Sequence, residues 1–396
     1  MVSIASISSL VLDFPPCCVE FWPGSKDWAV VGTYLLEKSE DENCKGEEIA
    51  EHSKKTQERN GSLVLLSVEA ESVTVLQTLP TPFAILDIHF DPFNSSILVA
   101  ATSTGSVALY TLNPQSLDQG YITHSRTIQF FPLSSLITSF VFHPSAPSVL
   151  ACTLSTNATY LLHIPRPDTP VCSETVQVLT HDLEAWITAF APDGSGLFSG
   201  ADDAALRYVS LPQFDNTGVE QSISSVLQQG ADTRVDWAER KIHGAGVTAV
   251  LPLTSSGKVC ITGSYDDYLR VVYVPKVGRR RVLAEENLGG GVWRVKTLGK
   301  WRSEKGFEMD LLVCCMYAGV RLIRLRRIGG EGFDAEGDQD GKWELEVIGR
   351  FEEHKSMNYG CDVVRGKGLV VSTSFYDRLV CLWRLPKDTI SNHIFE

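Results

Sequence analysis

The stretch Gly263–Val272, GSYDDYLRVV, places two carboxylates between two tyrosines in a turn that joins two strands. A carboxylate in this position can act as a general base toward water, or it can fix the turn by accepting backbone N–H bonds. We assign the turn-fixing role to Asp267 and to Asp377, which an ungapped alignment of the two turns pairs with it. Asp266 is the better candidate for catalysis, because its aligned partner is Tyr376 and the turn therefore does not require an acid.

Three further segments combine residue types that catalyse reactions or bind ligands: HDLEAW (181–186), GGGVWR (289–294) and HKSMNYG (354–360). Their candidate residues are Glu184, Trp186, Trp293, Arg294, His354 and Tyr359. His181 and His354 have the side chain most often used for acid–base catalysis. Arg294 can stack on Trp293, pair with a carboxylate or bind an anion. Trp186 and Trp293 also suit simple packing between structural units.

A unit of strand, turn, strand, tight turn and strand repeats along the chain. The stretches 200–209, 263–273 and 373–383 align with one another, and 101–110 fits the same frame. With three less regular copies, the unit occurs seven times at a spacing somewhat above the ~40–45 residues of a WD-type blade, as inserted loops would produce. Within these units, apolar and polar residues alternate with a period of two, and β-branched residues are frequent. The sequence therefore predicts an all-β fold, a seven-bladed WD-repeat β-propeller.

Residues 1–396 are predicted to form this single propeller. The seventh copy ends at Trp383–Leu385 and lacks its outermost strand, and an apolar strand at Ile7–Leu12 precedes the first copy. We expect that strand to fill the gap and close the ring. Two segments interrupt the pattern: the charged insert Glu37–Asn60, which we predict to be disordered, and the acidic, Gly-rich loop Gly329–Lys342.

A propeller brings the candidate residues together. The turn between the second and third strands of a blade opens on the same face as the connection into the next blade. The segments that contain Tyr265–Asp267, Tyr376 and the six candidates of the other stretches should therefore meet on one face around the central channel. His243 resembles the structural histidine of WD repeats.

The composition excludes several classes of protein. The net charge of -13 argues against a nucleic-acid partner, which requires clustered Lys and Arg. No apolar run approaches the ~18 residues of a membrane span. The ten cysteines contain no C-x-x-C pair, so the spacing predicts no metal site and favours a reduced, cytoplasmic protein.

Five phrases in a fixed order give the chain a specific resemblance: HDLEAWITAF, TGSYDDYLRVV, GGGVWRVK, NYGCDV and TSFYDRLVCLW. Together with VEFWP…VVGTYLL and PFAILDIHF, they resemble the diphthine methyl esterase family of WD-repeat proteins over nearly the whole chain. That family acts late in diphthamide biosynthesis on elongation factor 2. This sequence departs from the repeat pattern where blades lack the terminal Trp-Asp dipeptide.

The resemblance implies hydrolysis of the methyl ester of methylated diphthine on elongation factor 2, which yields diphthine and methanol. It also implies a monomer that needs no cofactor and has elongation factor 2 as its protein partner. The family has been labelled a methyltransferase as well. The sequence argues against that label, because Gly244-Ala245-Gly246 leads into a strand and no G-x-G-x-x-G turn opens a helix.

Two mechanisms of ester cleavage remain open, since no G-x-S-x-G nucleophile elbow occurs. In the first, a serine such as Ser264 or Ser374 is activated by a nearby histidine and forms an acyl-enzyme. In the second, a general base activates water while donors stabilise the oxyanion. We favour the second, because acidic and histidine side chains outnumber well-placed hydroxyls.

The second mechanism has several candidate residues. The base is Asp266, Glu184 or His354. The oxyanion donors are Arg294 or the N–H groups of Gly289–Gly291. The trimethylammonium of diphthine suits an aromatic cage, for which the candidates are Trp186, Trp293, Tyr265, Tyr359 and Tyr376.

The alternative function is a non-catalytic scaffold for protein complexes in trafficking or translation. WD-type propellers commonly dock partner proteins on their exposed faces, and fold alone does not decide function.

Overall fold

The structure is a computed structural model, and its described residues form thirty β-strands. The strands form seven sheets, each an antiparallel meander of four main strands. The described residues are 1–25, 27–36, 58–69, 71–115, 120–165, 173–214, 223, 235–304, 306–329, 341–364, 366–387 and 389.

The seven sheets are the blades of a ring. The first strand of each blade contacts the first strand of the next, and that of blade 7 contacts that of blade 1. The first strands therefore surround a central axis, and the later strands of each blade lie successively farther out. The predicted seven-bladed β-propeller is confirmed.

Blades 1 to 3 follow the order of the chain from the centre outwards. The main strands of blade 1 are β3 (Pro16–Phe21), β4 (Trp28–Thr33), β6 (Arg59–Glu69) and β7 (Ser72–Thr81). Those of blade 2 are β8 (Ile85–Asp91), β9 (Asn94–Thr102), β10 (Ser106–Leu112) and β11 (Ile122–Gln129). Those of blade 3 are β12 (Ile137–Phe142), β13 (Val149–Leu154), β14 (Ala158–His163) and β15 (Glu174–Thr180).

Blades 4 to 6 repeat this arrangement. The strands of blade 4 are β16 (Ala185–Phe190), β17 (Gly196–Ala201), β18 (Leu206–Ser210) and β19 (Val235–Glu239). Those of blade 5 are β20 (Val247–Pro252), β21 (Val259–Ser264), β22 (Tyr268–Tyr273) and β23 (Arg281–Asn287). The main strands of blade 6 are β24 (Arg294–Ser303), β25 (Gly306–Cys314), β26 (Val320–Ile328) and β27 (Lys342–Phe351).

Blade 7 takes strands from both ends of the chain. Its inner strands are β28 (Asn358–Val364), β29 (Leu369–Ser374) and β30 (Leu379–Arg384), and its outermost strand is β2 (Ser6–Val11). β2 pairs antiparallel with β30 and so closes the ring, as the apolar N-terminal stretch predicts. Leu12, which follows β2, donates its N–H to the Arg378 carbonyl at 2.9 Å.

Two short strands extend the blades. β1 (Val2–Ile4) pairs parallel with β27 at the edge of blade 6, and β5 (Leu35–Leu36) pairs with β6 in blade 1. The predicted insert and loop fall mostly on 37–57 and 330–340, which lie outside the described residues. Of the described residues at their ends, Arg59 and Asn60 begin β6 and Lys342 begins β27.

The hydrophobic core lies between neighbouring blades, where apolar side chains of facing sheets meet. Val271 of blade 5 and Leu311 of blade 6 are fully buried in one such cluster. Ile88 of blade 2 and Leu65 of blade 1 are buried in another. This packing makes every blade depend on its neighbours, and it holds the ends of the strands in fixed positions around the axis.

Charged side chains of the first strands line the channel and join successive blades. Three carboxylates each accept a backbone N–H from the next blade: Asp362 from Phe21, Glu20 from Phe90, and Asp87 from Phe140. His89 lies between Glu20, at 2.7 Å, and Asp87, at 3.5 Å. Burial lowers the pKa of His89, but the two carboxylates outweigh burial and raise the pKa to about 10.

Within the described residues no helix is long and apolar enough to cross a membrane. The eight cysteines of this part of the chain are free thiols.

Candidate active site at the upper face

We call the end of the propeller at which the first strands begin the upper face. In an antiparallel meander the turn between the second and third strands lies at this same end. β16 and β28 thus bring Trp186 and Tyr359 to the upper face, and Trp293 lies there immediately before β24. Tyr265 lies there in the β21–β22 turn.

These four side chains form one group, the aromatic cluster. The Trp293 ring centroid lies 5.6 Å from that of Trp186, 6.2 Å from that of Tyr265 and 4.9 Å from that of Tyr359. Trp293 is buried, whereas the other three rings are half-buried. The cluster therefore has a buried indole as its floor and three rings around it that reach toward solvent.

Tyr376 lies at the outer edge of this group. Its ring contacts Phe375 at 5.1 Å, and Phe375 in turn lies 5.5 Å from Tyr359. Because Tyr376 is 70% exposed, it belongs to the rim and does not contribute to the wall around Trp293.

Two glycines leave room for the Tyr265 ring. A Cβ on Gly246 would lie 2.9 Å from the Tyr265 ring and 2.8 Å from Asp202 Oδ1, both closer than real Cβ contacts. A Cβ on Gly291 would lie 2.9 Å from Met316 Sδ and 3.4 Å from the same ring. Gly246 therefore permits the close approach of Tyr265 and Asp202.

Two carboxylates stand beside the aromatic cluster. The Trp186 indole N–H donates to Asp202 Oδ1 at 2.7 Å, and the Asp202 N–H donates to the Glu184 carbonyl at 3.0 Å. Partial burial, and then the Asp202 charge, raise the pKa of Glu184 above its usual value. Burial also raises the pKa of Asp202, although the Trp186 hydrogen bond opposes it. The pKa of each carboxyl group is thus raised toward the range in which a carboxylate is an effective general base.

Sequence reasoning selected Glu184 and missed Asp202. A signal was present, because the turn in GADDAALRYV matches the turn in GSYDDYLRVV and places Asp202 in the position of Tyr265. The backbone bonds confirm this match, since Asp202 N–H bonds to Glu184 O and Tyr265 N–H bonds to Gly246 O.

Arg294 lies against the floor of the cluster. Its guanidinium carbon is 5.0 Å from the centre of a Trp293 ring, and its Nη1 donates to the Trp293 carbonyl at 3.2 Å. Its Nη2 lies 3.9 Å from Asp87 Oδ2 in the channel. A half-buried cation therefore stands between the aromatic cluster and the channel.

Asp266 is held by its own blade. Its carboxylate accepts the Gly244 N–H at 2.7 Å and the Tyr268 N–H at 3.1 Å, and it pairs with Arg270 at 2.9 Å. Burial raises its pKa, but the Arg270 hydrogen bond and the two N–H bonds outweigh burial, so the pKa lies below its usual value. These bonds give Asp266 the turn-fixing role predicted for Asp267 and make it a weaker candidate for the base than Glu184.

His354 is a structural residue as well. It is 6% exposed, and its Nε2 lies 2.8 Å from Ser372 Oγ, which also accepts the Trp383 indole N–H at 2.9 Å. Burial lowers the pKa of His354 to about 4. The same bond recurs between His243 and Thr262 and between His181 and Ser199. His354 therefore corresponds to His243, and these contacts favour a structural role over that of a catalytic base.

A difference in turn length separates Asp266 from its counterpart in blade 7. Ala204, Asp267 and Arg378 share a positive φ, at 56°, 69° and 56°. In each turn, the aspartate just before this residue accepts a backbone N–H from the residue that follows the blade's histidine. The Asp203, Asp266 and Asp377 carboxylates accept the N–H groups of Asp182, Gly244 and Lys355, respectively. Asp377 therefore matches Asp266, and blade 7 has one additional turn residue, Tyr376, which an ungapped alignment does not show.

The two candidate serines are buried and already bonded. Ser264 Oγ donates to the Ala245 carbonyl at 3.0 Å and accepts the Asp266 N–H at 3.2 Å. Ser374 Oγ lies 2.9 Å from Ser356 Oγ. Since both side chains are fully buried, these contacts favour activated water over an acyl-enzyme. In the described part of the chain, no group of three His, Cys, Asp or Glu side chains is placed to hold a metal ion.

No protein-family model matches the chain. The diphthine methyltransferase of Schizosaccharomyces pombe is 27% identical over 373 residues, which cover 94% of this chain and 95% of that protein. The diphthine methyltransferase of Saccharomyces cerevisiae is 24% identical, with 95% and 97% covered. The diphthine methyltransferase homolog of Dictyostelium discoideum is 25% identical, with 94% and 97% covered.

Among solved structures, Chaetomium thermophilum Sqt1 bound to the N-terminus of the ribosomal protein L10 superposes with a TM-score of 0.62. At 14% identity over 96% of this chain, that likeness shows the fold alone. The three diphthine methyltransferases are stronger evidence of relationship than this likeness of fold, because they align with the chain over nearly their full length. The chain is thus a full-length relative of proteins named diphthine methyltransferase, which confirms the family resemblance that its sequence predicted.

Proposed function

We propose that this chain is an enzyme of diphthamide biosynthesis that hydrolyses the methyl ester of methylated diphthine on elongation factor 2. The products are diphthine and methanol. The relatives' names support the pathway. The observation that carries the reaction type is the aromatic cluster around Trp293 with the Glu184 and Asp202 carboxylates at its side.

The aromatic cluster fits the trimethylammonium of the substrate. A quaternary ammonium cannot donate hydrogen bonds, so a protein recognises it through the electron-rich faces of aromatic rings. Trp186, Tyr265 and Tyr359 surround Trp293 at ring distances that leave their outer parts open to solvent. The adjacent carboxylates add negative charge where the cation would lie.

The carboxylates and Arg294 supply the groups that ester hydrolysis requires. Asp202 or Glu184 takes one proton from a water molecule, and the resulting hydroxide adds to the ester carbonyl. The Arg294 guanidinium stabilises the oxyanion of the tetrahedral intermediate. When that intermediate collapses, the C–O bond to the methoxy group breaks and the proton returns to the methoxide, which leaves as methanol.

A methyl-transfer reaction has weaker support from this fold. Transferases that use a nucleoside methyl donor commonly hold it on a Gly-rich turn that opens a helix. Here Gly244-Ala245-Gly246 leads directly into strand β20, and Tyr265 and Asp202 both pack closely against Gly246. Hydrolysis needs only water as the second reactant.

The test is methanol release from elongation factor 2 that carries methylated diphthine. The purified chain should release methanol in proportion to the loss of the ester's methyl mass from the protein. Trp293→Ala should abolish release, whereas Phe93→Ala, which removes an exposed ring at the β8–β9 turn on the opposite face, should release methanol normally. If the wild-type chain releases none, the esterase proposal is wrong and a scaffold is favoured.

A further inference from the structure

Large apolar side chains are exposed on the face that holds the aromatic cluster. Tyr317 is 59% exposed in the β25–β26 turn, and Leu133 is 70% exposed in the connection between β11 and β12. Leu183, which leads into β16, and Tyr376 are exposed as well. All four lie in second-to-third-strand turns or before first strands, so all four belong to the upper face. They are spread around the ring on this one face, where a partner protein that covers the face would contact them.

Hydrogen bonds hold in place the connections that carry Tyr317 and Leu133. The Tyr317 hydroxyl lies 3.4 Å from Asp267 Oδ1, which links the turn of blade 6 to that of blade 5. Leu133 lies between Phe130, whose N–H bonds to Gly105 in blade 2, and Leu136, whose N–H bonds to Ser155 in blade 3. The exposed side chains therefore stand on anchored connections.

The upper face is also acidic. Its described connections carry eleven carboxylates: Asp13, Glu58, Asp182, Glu184, Asp202, Asp203, Asp266, Asp267, Glu352, Glu353 and Asp377. They carry only four Lys or Arg side chains: Arg240, Lys241, Lys355 and Arg378. At the opposite end of blade 5, the β22–β23 connection instead carries Lys276, Arg279 and Arg280. Among the described residues, the connections of the face that holds the aromatic cluster thus carry an excess of negative charge.

We propose that the upper face is a docking surface for a cationic surface of the protein that carries the methylated side chain. This inference rests on the proposed function, because a residue of a folded protein reaches the aromatic cluster only if the surrounding protein surfaces meet. Tyr317, Leu133 and Leu183 provide the apolar contacts, and tyrosine is common among residues that dominate binding energy. The carboxylates attract Lys and Arg side chains of the partner and speed the encounter.

A binding experiment tests the docking surface separately from turnover. The probe is elongation factor 2 carrying methylated diphthine, and the measurement is its Kd for the full chain at low and at high salt. Tyr317→Ser and Leu133→Ser should each weaken binding by about 5- to 30-fold. Binding of the wild type should weaken as salt rises, because salt screens the charges. The matched controls Phe93→Ser and Val277→Ser remove exposed apolar side chains at the opposite face and should change the Kd less than about twofold.

A small substrate separates docking from catalysis. Betaine methyl ester has the quaternary ammonium and the ester but no protein surface, so Tyr317→Ser and Leu133→Ser should hydrolyse it as the wild type does. Unchanged Kd values in both variants, or binding that is independent of salt, would overturn the docking surface. Because binding does not require turnover, a wild type that binds elongation factor 2 but releases no methanol would reject the esterase and retain the surface.

Discussion

The indole N–H of Trp186 donates to Oδ1 of Asp202 at 2.7 Å and thereby joins the aromatic cluster to a carboxylate. One oxygen of Asp202 is oriented by this bond, so the position of the carboxylate depends on the position of the Trp186 ring. A substrate cation held by the ring would lie close to the base that activates water. Binding and catalysis are then coupled through one hydrogen bond.

Asp202→Asn should reduce kcat by about 100-fold or more, because the amide does not accept the proton of water. The wild-type kcat/KM should fall as the pH drops through a carboxyl pKa raised above the ordinary value, since protonation removes the base. The measurement is the pH dependence of methanol release. Asp193→Asn, which changes a carboxylate in the β16–β17 turn at the opposite end of blade 4, is the control and should leave rate and profile unchanged. If Asp202→Asn kept the wild-type acid limb, Glu184 would be the base instead.

Trp186→Ala should weaken the binding of the quaternary ammonium. A cation–π contact in a desolvated site contributes about 2 kcal/mol, which corresponds to about 30-fold in Kd. The measurement compares a trimethylammonium ligand with its neutral tert-butyl isostere by calorimetry. The wild type should prefer the cation, and Trp186→Ala should lose most of that preference.

Trp186→Phe is the matched control for the ring itself. It keeps an aromatic face but removes the N–H donor to Asp202. We expect it to keep much of the preference for the cation and to lose turnover. Equal preference for the two ligands in the wild type would contradict the cage.

His354→Ala should destabilise the propeller and leave the chemistry intact. Loss of the imidazole leaves the buried Ser372 hydroxyl with one partner fewer, which costs about 1–3 kcal/mol in the free energy of unfolding. Urea unfolding gives this loss, and methanol release per folded molecule should match the wild type. His124→Ala, at an exposed position on β11, should change neither. A folded His354→Ala protein without turnover would restore His354 as a catalytic residue.

The buried histidines predict acid lability. Burial lowers the pKa of His143, His243 and His354 from 6.5 to about 4. The unfolded chain therefore binds protons between pH 6.5 and 4 that the folded chain does not bind, so the contribution of these three histidines to stability is full above pH 6.5 and is lost as the pH drops toward 4. Unfolding free energies measured across this range should show the fall, and His354→Gln should make it shallower. An unchanged slope in that variant would show that His354 does not contribute.

The sequence predicted the features that depend on strand and turn patterns. Period-2 alternation and repeated turns gave seven blades, and the apolar stretch before Leu12 gave the closing strand β2. Because each turn type has a fixed position in a blade, Trp186 and Trp293 were placed on the same face from their spacing alone.

Sequence patterns did not predict the role of a residue where that role depends on the partners of its side chain. Asp266 and Asp377 are equivalent by their hydrogen bonds, but the additional residue Tyr376 shifts them out of alignment. Asp202 was missed because the bond to the Trp186 indole crosses from a turn to a first strand, and no local pattern records that contact.

Two glycines near the site provide a comparison within one loop. A Cβ on Gly246 would lie 2.8 Å from Asp202 Oδ1 and 2.9 Å from the Tyr265 ring, whereas a Cβ on Gly244 would meet nothing closer than Asp266 Oδ2 at 3.4 Å. Gly246→Ala should therefore push Asp202 and Tyr265 apart and reduce kcat/KM by at least about tenfold, because misplacement of a catalytic group by 1 Å costs about 100-fold. Gly244→Ala keeps the backbone N–H that Asp266 accepts and should have near wild-type activity. Methanol release and thermal unfolding of both variants test this contrast. If the two variants were equally active, the packing of Asp202 and Tyr265 against Gly246 would have no role in the reaction.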